Sequence, residues 1–205
     1  VTKPCYLREM KKLVASSFIL FLSFQLISQN LLRNQVEVYT SMTRAKSEPL
    51  SVVHLDLSRQ KIKTLPEEII EFKNLRYLDV SNNRIGELPD FIFSLPKLEE
   101  LDATSNKLYD LPFSIENAKK LKILKAGNNP IQSIPYTING ALNLEQLDLV
   151  HTEIKIFPKE LSALTYLIML ELRGVDVSEE QQEVLKGYFP NAKIYFTNGC
   201  HCGPF

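Results

Sequence analysis

The stretch Leu75-Arg76-Tyr77-Leu78-Asp79-Val80-Ser81-Asn82-Asn83-Arg84-Ile85-Gly86-Glu87-Leu88-Pro89 decides the fold, because its pattern returns along the chain. The same opening, aliphatic-x-x-Leu-x-(Leu, Val or Ala), starts at Val52, Leu75, Leu98, Leu121, Leu144 and Leu167, always 23 residues apart. An Asn-like position follows, occupied by Gln60, Asn83, Asn106, Asn129, Thr152 and Val175. Two residues later comes an aliphatic residue: Ile62, Ile85, Leu108, Ile131 or Ile154. An apolar-Pro pair closes this half of the unit: Leu65-Pro66, Leu88-Pro89, Leu111-Pro112, Ile134-Pro135 and Phe157-Pro158.

Alternation in Leu-x-Leu places both apolar side chains on one face of a short strand and the intervening residue on the other. One unit cannot bury its apolar face alone, so successive units stack. Six strands at ~4.8 Å spacing make a parallel sheet about 25–30 Å across. The Asn column falls where the chain leaves the strand, where its side chain can satisfy turn groups, including those of the next unit. A proline in every unit prevents a continuous helix, so the other side should consist of turns or short 3-10 pieces.

The pattern resembles the leucine-rich-repeat family in its 23-residue form with a Leu-Pro pair, over about residues 50 to 175. The flanks are similar to those of small exported bacterial members. The resemblance implies an α/β solenoid: a right-handed superhelix with parallel strands on its concave face, turns or 3-10 pieces on its convex face, and helical caps. It implies a protein that binds another molecule rather than an enzyme.

The ends of such a stack need covering. Residues 30–50 are expected to cap the N-terminal side, with a short helix over Thr40–Ser47 turning Met42 and Ala45 inward. Residues 51–175 form the repeats. Residues 176–197 are expected to cap the other end. There Ser178-Glu179-Glu180-Gln181 matches a capping box, and Val184, Leu185, Tyr188 and Phe189 give one apolar helical face. Pro190 stops that helix, and Ala192–Thr197 reads as a final strand.

Residues 1–29 read as a signal peptide, with 1–9 an upstream extension. Met10-Lys11-Lys12 supplies the positive start, and Leu13 to Ile27 is an uncharged, mostly apolar run of 15 residues. A retained membrane anchor or a buried helix is the alternative. This segment holds four basic residues and one acidic one; the remaining 20 basic and 23 acidic residues leave the rest mildly acidic. The whole chain is formally neutral, which gives no electrostatic case for nucleic acid; any membrane contact is expected through the signal segment only. The expected location is secreted, periplasmic or at the cell surface.

Candidate binding residues lie on the solvent-facing strand positions. One column holds His54, Tyr77, Glu100, Ile123, Gln146 and Met169; the next holds Asp56, Asp79, Asp102, Lys125, Asp148 and Glu171. A third ends at Arg173. Tyr77, Ile123 and Met169 put apolar groups on a wet surface, on alternate strands about 9–10 Å apart, and such groups within a polar surround mark interfaces. Scattered surface hydrophobes are the bland alternative. The acidic column reads as a row that attracts a basic partner or a cation, or as a solvated face, with Lys125 pairing Asp102 or Asp148.

No phosphate-cradling glycine loop, nucleophile elbow or His-Glu-x-x-His motif is present. No cofactor is expected. His54 and His151 lie four units apart, too far to share a metal. Cys200, His201 and Cys202 form the one chemically suggestive cluster, in the tail 198–205. It reads as an incidental tail or a disulfide, or alternatively as a metal or thiol-redox group. The main expectation is thus a protein partner, with a glycan second; a structural or adhesive surface role remains a further alternative. The oligomeric state is left open.

Overall fold

A computed structural model describes residues 36–197. The signal-peptide reading and the Cys200-His201-Cys202 reading lie outside the described residues. Eight short strands run in sequence order through one sheet: β1 (Val38–Tyr39), β2 (His54–Asp56), β3 (Tyr77–Asp79), β4 (Glu100–Asp102), β5 (Ile123–Lys125), β6 (Gln146–Asp148), β7 (Met169–Leu172) and β8 (Lys193–Phe196). Every neighbouring pair is parallel.

The register follows the 23-residue repeat. Leu55, Leu78, Leu101, Leu124, Leu147 and Leu170 are successive Cα partners, and none is more than 2% exposed. The residues on either side of each leucine point the other way, as strand geometry requires.

Return to the next strand runs through five 3-10 turns: η1 (Glu67–Glu71), η2 (Asp90–Ser94), η3 (Phe113–Asn117), η4 (Tyr136–Gly140) and η5 (Lys159–Ala163). Each begins just after its proline, which holds φ between −62° and −71° and ψ in the extended range. That geometry admits one tight turn, not a long helix. Ile69, Ile92, Ile115, Ile138 and Leu161 point from these turns into the core and are fully buried.

Both ends are covered. On the N-terminal side, helix α1 (Met42–Ser47) buries Ala45, and Met42 packs partly against the core. Strand β1 was not foreseen. It pairs Val38 with His54, only 16 residues on, and so falls outside the repeat register. Its Tyr39 is 2% exposed, one of the largest fully buried side chains described. On the other side, helix α2 (Glu179–Tyr188) starts at a capping box: the Gln181 N–H donates to Ser178 Oγ, and the Ser178 N–H donates to Gln181 Oε1. Leu185 and Phe189 are buried, whereas Val184 faces solvent at 45% exposure. Strand β8 then pairs with β7 and extends the sheet.

Candidate binding face

At each strand exit the backbone turns through the left-handed region. Arg59, Asn82, Ser105, Asn128 and His151 have φ between 51° and 58°, and Gly174 has φ 79°. These six positions are 23 residues apart, and only one is glycine. An L-residue there costs roughly 1–2 kcal/mol, so neighbouring interactions must hold the turn.

The buried asparagines supply them. Asn83 Nδ2 donates to the carbonyls of Leu57 and Val80, both at 2.9 Å, and Oδ1 accepts the N–H groups of Gln60 and Ile62 at 3.0 Å. Asn129 repeats this with Ala103 and Ala126 as acceptors and Asn106 and Leu108 as donors. Each side chain thus reaches back to the preceding unit rather than forward to the next. Thr152 ends the ladder and donates its hydroxyl to the Leu149 carbonyl in its own unit.

The acidic column has a structural task. Asp56, Asp79, Asp102 and Asp148 each accept, at 2.8–3.0 Å, the N–H two residues on, at Ser58, Ser81, Thr104 and Val150. A short carboxylate bonding its own turn in this way stabilises the strand exit. Lys125 interrupts the column. Its Nζ lies 2.9 Å from Glu100 Oε1 and 3.5 Å from Asp102 Oδ2. The Asp102 contact matches one reading of the sequence; the shorter bond to Glu100 was not foreseen. Glu100 is consequently only 5% exposed, held in an ion pair rather than offered to solvent.

The rest of the first column forms one continuous row. His54, Tyr77, Glu100, Ile123, Gln146 and Met169 are Cα partners across β2 to β7. All but Glu100 are half-buried. The His54 and Tyr77 rings lie 5.7 Å apart, tilted at 58°, and the Arg76 guanidinium stands 5.5 Å from the Tyr77 ring centre. At the other end, Arg173 grips Glu171 through two bonds of 2.8 and 2.7 Å and lies over Tyr195 at 5.7 Å. The Glu171 bond raises the already high Arg173 pKa, keeping the guanidinium charged. The face therefore places apolar and aromatic groups among fixed charges.

Sequence reasoning looked only at the strands and missed a second cluster. Tyr109, Phe113 and Tyr136 are 55%, 62% and 62% exposed, and the Phe113 and Tyr136 rings lie 5.6 Å apart. The signal was available: Phe113 and Tyr136 both follow the repeat's proline.

Among the described residues no group of three His, Cys, Asp or Glu side chains is placed to hold a metal ion. No described helix is long and apolar enough to cross a membrane.

A register of parallel strands, single 3-10 turns and an asparagine ladder define a repeat solenoid. The family model for leucine rich repeats matches residues 51–108. The fold is shared with a leucine-rich-repeat protein of Leptospira interrogans, at 29% identity and TM-score 0.61, over 73% of this chain and 45% of that one. An internalin C2 of Listeria monocytogenes is 20% identical with TM-score 0.65, over 77% of this chain and 66% of that one. The ectodomain of a plant membrane receptor kinase from Arabidopsis thaliana, solved in complex with Casparian strip integrity factor 2, is 25% identical with TM-score 0.61, over 73% of this chain and 19% of that one. No curated protein sequence matches. This chain spans less than half the length of the Leptospira protein. Its repeats are similar to those of leucine-rich-repeat proteins. The fold suggests a protein–protein interaction module.

Proposed function

We propose that this chain is an exported interaction module that holds a protein partner against its strand face. The supporting observation is the unbroken row from His54 to Met169, in which Tyr77 stays half-open on one side of the Lys125–Glu100 pair, and Ile123 and Met169 stay half-open between that pair and Arg173. Gln146 adds a polar group to the same row. The plant ectodomain, solved in complex with its factor, is consistent with a leucine-rich-repeat surface used for partner recognition. In this reading residues 51–175 carry binding, while 30–50 and 176–197 close the two ends. A glycan is the second ligand class.

Export rests on residues 10–29, with Met10-Lys11-Lys12 preceding an apolar run. N-terminal sequencing of the protein recovered outside the cytoplasm tests it: a start near residue 30 supports cleavage, and an intact Met10 contradicts it.

Binding is tested by affinity capture with the mature protein, followed by titration of the captured partner against a Y77S/I123S/M169S variant. Affinity should fall about tenfold or more, since truncated interface anchors commonly cost over ~1 kcal/mol each. The variant should retain its circular dichroism spectrum. Unchanged affinity in a folded variant would exclude the strand face.

A further inference from the structure

The cluster on the turn face has a chemistry of its own. A groove of about 400 Å³ opens between the second and third units, lined by Gly86, Glu87, Leu88, Pro89, Asp90, Tyr109, Asp110 and Pro112. Three of these are acidic and none is basic. Asp110 is held in place by the Ser133 hydroxyl at 2.8 Å, while Glu87 and Asp90 are exposed. Tyr109 supplies an aromatic wall.

The groove continues into the aromatic pair. Asp90, Phe113 and Tyr136 are the first residues of η2, η3 and η4, so they occupy one column on successive units. The same position holds Glu67 on η1 and Lys159 on η5. Charge along the column therefore runs from acidic, through two exposed rings, to basic. This polarity sets an orientation for anything lying along it. An exposed aromatic patch beside unbalanced carboxylates attracts cations both by charge and through the ring faces. The groove is near the small end of ligand pockets, ~300–1,000 Å³, and so has room for one or two side chains rather than a folded element.

We propose that this surface docks an extended, positively charged peptide segment of a protein partner. A Lys or Arg side chain enters between Glu87, Asp90 and Asp110 against Tyr109, and a neighbouring apolar residue covers Phe113 and Tyr136. The site is separate from the strand face and does not depend on the role given to it.

Selection of random dodecapeptides displayed on phage, panned against the whole protein, tests this. Enriched sequences should pair a Lys or Arg with an apolar residue. The best synthetic peptide should lose about tenfold in affinity for an E87Q/D90N variant and again for F113S/Y136S. Its binding should weaken as salt rises, because exposed charges are screened. The Y77S/I123S/M169S variant should bind it as the parent does, which separates this site from the strand face. All the altered turn-face residues are exposed, and unchanged melting confirms that the variants fold. Failure to enrich any peptide, enrichment of acidic or neutral sequences, or binding that survives both turn-face variants overturns the proposal. So does light scattering that shows a dimer dissolved by F113S/Y136S, which would make a second copy of the chain the occupant.

Discussion

Replacing Asn106 with alanine tests the physical core of the solenoid. Asn106 is 9% exposed. Its Nδ2 donates to the carbonyls of Val80 and Ala103, each at 3.0 Å, and its Oδ1 accepts the Ile85 N–H at 3.0 Å. Alanine removes these three bonds, along with a longer one from Nδ2 to the Thr104 carbonyl at 3.4 Å, and leaves the Val80, Ala103 and Ile85 backbone groups buried. At a net ~1 kcal/mol per bond, the loss is about 3 kcal/mol, and desolvated orphans at ~1–3 kcal/mol each push it upward. A domain of about 160 residues shifts by roughly 2–4 °C in Tm per kcal/mol, so melting should fall by about 6–12 °C. Circular dichroism during heating reads this directly. A urea titration should show a lower midpoint with an unchanged slope, because the surface exposed on unfolding is the same. Asn106→Asp should be no better, since it replaces the donor with an anion facing two carbonyls. A Tm within about 2 °C of the parent would refute the ladder as a source of stability.

Three further substitutions probe neighbouring features. Thr152→Asn should extend the ladder by accepting the N–H groups of Asn129 and Ile131, raising stability by about 1 kcal/mol in the same melts. Ser105→Gly should stabilise by about 0.5–1 kcal/mol, because φ is 58° there and relief of left-handed strain exceeds glycine's entropy cost; Ser105→Val should destabilise. Gly140→Ala should cost about 1–3 kcal/mol, since a Cβ would fall 2.5 Å from the Glu116 Cα and carbonyl oxygen, and the η3 backbone would have to shift.

The sequence revealed most where the repeat imposes register. A constant 23-residue step fixes which residues are Cα partners, so the row from His54 to Met169 could be written down before any coordinates. The 3-10 turns followed from one proline per unit for the same reason. Features outside the repeat were harder. Strand β1 carries no Leu-x-x-Leu opening and pairs out of step, so Tyr39 gave no periodic signal. Side-chain reach was also hidden. That Lys125 bonds Glu100 more closely than Asp102, or that the aspartates close their own turns, depends on rotamers rather than spacing. The left-handed positions escaped notice because five of the six lack glycine, the usual marker. The turn-face aromatics were legible in the slot after proline, but attention to the strands passed over them.

The most direct test of the strand-face account is hydroxyl-radical footprinting of the protein with and without its captured partner. Tyr77 and Met169 are both half-open in the free protein and carry readily oxidised side chains. The account predicts that both lose reactivity when the partner is bound. Undiminished oxidation of Tyr77 and Met169 in the saturated complex would contradict it.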